Sequence, residues 1–114
     1  MKRYLSLALI LTCAPALAQQ PVSRAINVTA ATINTGAAQS VLSQNQGRPY
    51  LAILNQSNTA SIACSFGTTT PTLNGAGSLT LLPNAGYVWD VGMVPNDAMK
   101  CVASADATPL TVYQ

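Results

Sequence analysis

Histidine and glutamate are missing from this sequence altogether, and phenylalanine and tryptophan occur once each. The first two absences remove the side chains that most often exchange protons near neutral pH, leaving Asp90, Asp97 and Asp106 as the carboxylates. Serine and threonine are plentiful, but with no base to activate them none is a credible nucleophile. Thiols without histidine, and with only scattered aspartates, do not build a zinc shell, and no Cys-x-x-Cys suggests redox work. The glycines of "NGAG" at 74–77 lack a following helix or lysine, which excludes a phosphate cradle. These absences predict a non-enzyme without metal or cofactor.

Charge is scarce as well, at 7% of residues. With cleavage after Ala18, Arg24, Arg48 and Lys100 balance Asp90, Asp97 and Asp106, so the precursor's formal charge of +2 resides in the removed segment. A neutral surface offers no footprint for a phosphate backbone or an anionic membrane face, so no nucleic-acid or lipid partner is expected.

What is present begins with a targeting signal. Met1-Lys2-Arg3 is a short basic start, Leu5 to Cys13 an apolar run too short to span a bilayer, and Ala16-Leu17-Ala18 a small-x-small cleavage site. Residues 1–18 therefore read as a secretory signal peptide and 19–114 as one domain, exported to a periplasmic or extracellular location. No later run reaches membrane-spanning length.

The 3.6-residue period of a helix is absent from residues 19–114. Short β-branched and aromatic runs recur instead between Gly, Pro, Asn and Asp. They predict about eight strands near 25–28, 40–42, 50–55, 61–66, 78–82, 87–90, 99–103 and 110–113, hence an all-β fold: a small antiparallel β-sandwich or a jelly-roll-like barrel. "NQSNT" reads as a hairpin connection, "PNAG" at 83–86 as a turn with Pro second and Gly fourth, and residues 67–77 as an exposed loop tightened at Asn74-Gly75.

Alternation places Ile62, Cys64 and Phe66 on one face, and Met99, Cys101 and Ala103 on one face with Lys100 opposite. Both cysteines thus lie on apolar faces. In an oxidising compartment they suit an intramolecular Cys64–Cys101 disulfide, through the core or between neighbouring strands, worth about 3 to 4 kcal/mol by loop closure. The other reading of the pair is two separate buried thiols packing as small hydrophobes. "YLAIL" at 50–54 is apolar on both faces, which predicts a central strand covered on one side by the core and on the other by a second sheet or another subunit. Tyr87, Trp89 and Asp90 in "YVWD" are the candidate ligand or partner contact; the plainer reading makes Asp90 an edge-strand or turn residue. Asn27 and Asn55 each begin a glycosylation sequon, a pattern that also arises by chance.

The order "GRPYLAILNQS…SFG…GAGSLTLLPNAGYVWD…VPNDAMKCVAS…PLTV", over roughly residues 47–112, resembles small tailed-phage and prophage virion proteins. Their sequences run through an Arg-Arg/Pro-Tyr-Leu strand, an Asn-centred turn, a Phe-Gly strand end, a Gly-rich loop, a Leu-x-Pro-Gly-Gly turn before an aromatic, a Val-Pro-x-x-Ala segment and a closing β-run. The resemblance implies a small β-sandwich that packs on a virion surface as a decoration or fibre-associated module. The secretory signal and the two cysteines depart from that pattern. Together these readings predict an exported, non-catalytic structural or accessory protein whose partner is a protein lattice or a second copy of itself. A glycan- or cell-surface-binding module using Tyr87, Trp89 and Asp90 stands as the second reading.

Overall fold

The computed structural model describes residues 25–114; the expected signal peptide lies outside the described residues. Eight strands form: β1 (Val28–Ile33), β2 (Gln39–Leu42), β3 (Ala52–Asn55), β4 (Ile62–Phe66), β5 (Leu79–Leu81), β6 (Gly86–Val88), β7 (Met99–Ala103) and β8 (Thr108–Tyr113). No helix occurs among the described residues. The strands pair into two four-stranded antiparallel sheets, ordered β1-β8-β3-β6 and β2-β7-β4-β5. This is a β-sandwich of jelly-roll topology. Strands β1 and β2 pair with β8 and β7, and β3 and β4 pair with β6 and β5, while the β3–β8 and β4–β7 contacts wrap this folded ribbon into two layers.

Period-2 alternation builds the core. Ile33, Leu51, Ile53, Leu110 and Val112 from one sheet meet Leu42, Ile62, Leu81, Met99 and Ala103 from the other, all buried. Cys64 and Cys101 are direct cross-strand partners on β4 and β7, 4.2 Å apart at Cα, and they form a disulfide spanning 37 residues of sequence. The bond thus joins neighbouring strands of one sheet. The flanking pairs Ile62–Ala103 and Phe66–Met99 fall on the same inward face, and Lys100 points to solvent as its alternation requires.

Several expectations need correction. The first strand starts later than 25–28, at Val28: its inward residues are Ala31 and Ile33, and alanine carries too little β signal to mark the run. "NQSNT" is not a hairpin, because β3 and β4 belong to different sheets and residues 56–61 arch between the layers. The buried Asn55 directs that arch. Its Nδ2 donates to the carbonyls of Ala60, Leu81 and Leu82 at 2.8, 3.3 and 3.1 Å, and its Oδ1 accepts from Ser57 N at 3.0 Å. In "PNAG" the turn is closed by Ala85 N donating to Leu82 O. Pro83 is therefore second, Asn84 with φ 57° third, and Gly86 begins β6. A Cβ at Gly86 would lie 2.9 Å from Ile53 O, so only glycine lets β6 close on β3.

Residues 67–78 make the one connection between sequence neighbours within a sheet, β4 to β5. This segment is not simply an exposed loop. Pro71 is buried, Ser65 Oγ donates to Thr69 O, and Asn74 N donates to Thr80 Oγ1. The loop thereby covers the outer side of β4, where Ala63 and Ser65 are buried. Its turn is centred one residue earlier than Asn74-Gly75: Gly75 N donates to Thr72 O across Leu73 and Asn74, whose φ is 55°, and Ser78 N donates to Gly75 O in a second turn.

Candidate interaction surface

Tyr87, Trp89 and Asp90 come from edge strand β6 and the turn that follows it. Tyr87 and Ile53 are register partners, so Tyr87 leans toward the gap between the two sheets. There its ring lies 4.7 Å from that of Trp89, which in turn meets Phe66 of β4 edge-on at 5.4 Å. This aromatic chain bridges the sheets at the β5/β6 side of the sandwich. Trp89 N also donates to Leu51 O, extending the β3–β6 ladder one residue beyond β6. Trp89 is half-buried and packed against the core, so its ring serves the sandwich first; Tyr87 stays 46% exposed. Asp90 is exposed, and its carbonyl accepts from Met93 N in the turn. A cleft of about 260 Å³ runs along this aromatic chain past Leu79 and Gly77.

The larger feature lies on the outer face of the β1-β8-β3-β6 sheet. Because Leu51 and Ile53 point inward, Tyr50, Ala52 and Leu54 point outward, and the register sets Val28, Tyr113, Ala52 and Val88 in one row across all four strands. Ile26 and Val88 are each 58% exposed and Val28 61%. Ile26, Val88, Tyr50, Ala52 and Tyr113 line a shallow apolar depression of about 320 Å³, which continues past Pro49 to Val91. The outward positions of these strands, 28, 30 and 32 on β1, 109, 111 and 113 on β8, 52 and 54 on β3, and 86 and 88 on β6, include no Asp, Lys or Arg. Neither the core nor the second sheet lies over the second face of "YLAIL"; Ala52 is nonetheless buried there and Tyr50 and Leu54 half-buried, so the exposed apolar surface is concentrated at Ile26, Val28 and Val88.

No family model, curated protein or solved structure matches the chain. The chemistry of the surface accordingly rests on its own residues. Among the described residues no group of three or more His, Cys, Asp or Glu converges to hold a metal ion, and no helix is long and apolar enough to cross a membrane.

Sequence reasoning missed Arg48. It is 5% exposed, and its guanidinium donates to the carbonyls of Ser43 at 2.9 Å, of Asp97 at 3.4 Å and of Pro95. Burial lowers its pKa from the ordinary arginine value. Backbone oxygens take the place of a carboxylate partner, and the side chain staples the β2–β3 connection to the β6–β7 connection. "GRP" next to an apolar strand is the signal that marks it, since a rigid fork of donors suits a cluster of loop carbonyls. At the far end of the sandwich Asp106 accepts from Thr35 N and Thr35 Oγ1, both at 2.8 Å, and these bonds lower its pKa. The sequon at Asn55 is closed, because that side chain is fully buried and bonded.

Proposed function

We propose that this chain is an exported, non-catalytic structural module that works by packing the outer face of its β1-β8-β3-β6 sheet against protein, in the manner of the phage virion accessory proteins its sequence resembles. The observation that carries the reading is the uncharged apolar row Val28, Tyr113, Ala52, Val88, together with Ile26 and Tyr50. An exposed, contiguous apolar patch on a small domain marks a contact surface, and depletion of charge is the compositional signature of an interface core. Jelly rolls build both viral capsid and lectin domains, so the topology suits this reading at the level of analogy. The buried disulfide is compatible with an oxidising compartment.

The test is density-gradient fractionation of the producing culture with immunodetection of the chain. Co-sedimentation with particles, lost on Val88→Lys, supports the proposal; a chain found only as free protein in the soluble fraction refutes it. A second reading, a glycan- or cell-surface-binding module, is favoured by the exposed Tyr87 beside the cleft at Trp89. Retention on a glycan array that is abolished by Tyr87→Ala would select it.

A further inference from the structure

The two sheets have four edge strands, and three are protected against pairing with another chain. β2 carries a register shift between Ser40 and Leu42, while β5 and β6 are three residues long. β1 differs. It is six residues of "VTAATI" with no charge, no proline and no bulge. Asn27 and Gln114 exchange both backbone hydrogen bonds, so by alternation residues 29, 31 and 33 bond to β8, while the N–H and C=O groups of Val28, Ala30 and Thr32 face away from it. No described residue bonds to those six groups, and all three residues are exposed.

From this edge we infer that β1 pairs with β1 of a second copy, antiparallel about a two-fold axis at Ala30. In that register Ala30 meets its own copy and Val28 meets Thr32 of the other chain, and all six free backbone groups on each strand find partners. The register is self-complementary, and with no charge on the strand nothing repels across the axis. The two sheets join into one eight-stranded sheet whose apolar outer faces run on continuously. Pairing β1 with β6 instead would propagate as an open filament and offers only three residues of partner strand. The inference concerns an edge and goes beyond the face-packing proposal, which does not require it.

Sedimentation equilibrium of the purified protein tests it, from micromolar to hundred-micromolar concentration. The wild type is expected to dimerise. Ala30→Pro removes an N–H that points away from β8, so the fold tolerates it. It also deletes two hydrogen bonds across the axis, each worth roughly fivefold, which raises the dimer dissociation constant about 30-fold or more with the melting temperature of the monomer unchanged. Ala30→Lys sets two like charges against each other at the axis and also yields monomer. Amide exchange gives a readout that needs no variant, since the amides of residues 28, 30 and 32 are protected only in the dimer. A wild-type monomer throughout the range, a dimer that survives both Ala30 variants, or unprotected amides at residues 28, 30 and 32 would each overturn the inference. A dimer abolished by Val88→Lys but kept by Ala30→Pro also overturns it, while leaving packing through the face intact.

Discussion

Replacing Asn55 by aspartate exchanges one heavy atom and inverts the electrostatics of its site. The wild-type Nδ2 holds three carbonyl oxygens within 3.3 Å, and Oδ1 holds Ser57 N. A carboxylate there keeps the bond to Ser57 but turns a second oxygen toward the carbonyls of Ala60, Leu81 and Leu82, at a side chain that is fully buried. Loss of two to three hydrogen bonds at about 1 kcal/mol each sets a floor of roughly 2 to 3 kcal/mol, to which the burial of charge adds. The protonated acid can still donate to one of those carbonyls, so the folded-state pKa of the introduced carboxyl rises above its unfolded value near 3.9. The sign follows: the penalty is smallest below about pH 4 and grows above it, by up to about 1.4 kcal/mol per pH unit, until the folded-state pKa is passed. Urea denaturation of wild type and Asn55→Asp at acidic and at neutral pH reads this directly. A stability gap below about 0.5 kcal/mol at pH 7, or one that is the same at both pH values, would refute the idea that Asn55 joins the β3–β4 arch to the β5–β6 turn.

Three more outcomes follow from particular contacts. Replacing both Cys64 and Cys101 by alanine should lower stability by about 3 to 4 kcal/mol through lost loop closure, and dithiothreitol should not reduce the native bond until denaturant is added, because Cys64 is 1% and Cys101 0% exposed; urea denaturation reads the first and intact-mass spectrometry after alkylation the second. Lysine at Ile53 buries an unpaired charge between the sheets and should cost upward of about 3 kcal/mol, visible as a fall in melting temperature; a wild-type melting temperature would remove Ile53 from the core. The lowered pKa of Asp106 stabilises the fold above the ordinary aspartate pKa of about 3.9, and this contribution is lost as pH falls below that value through the depressed one. In Asp106→Asn the acid limb of a stability-versus-pH curve should therefore be shallower than in wild type, as thermal melts from neutral to strongly acidic pH would show.

The strand count and the inward faces were legible because apolar residues recur at every second position of 62–66 and 99–103, where they touch the core, while 51–54 stood out as a run that is apolar on both faces. The cysteines could be placed on apolar faces for the same reason. Which sheet each strand joins was not legible. A turn such as "NQSNT" looks alike whether it returns along the same sheet or crosses to the other, and the choice is made by Asn55 bonding to carbonyls 26 and 27 residues away. β1 was displaced because Thr-Ala-Ala-Thr has no strong period, and its pairing with β8 at the other end of the chain decides its limits. At the candidate surface, "YVWD" named three neighbours that divide their work: Trp89 packs inward, Tyr87 is shared between the aromatic chain and solvent, and Asp90 belongs to a turn. The double-faced character of "YLAIL" pointed to the apolar sheet, but only the register reveals that Val28 and Val88, far apart in sequence, complete the same row.

The pairing of β1 with β8 also fixes an order of events. Among the described residues β1 has no strand partner until residues 108–113 have been made, and β2 likewise waits for β7. Neither sheet can close before β7 and β8 exist, and folding governed by such distant contacts is slow. A polypeptide of this design leaves both sheets open until β7 and β8 are available, a state compatible with passage through a narrow pore. Sheet closure, and with it the coupling of two thiols that meet only when β4 lies beside β7, comes last.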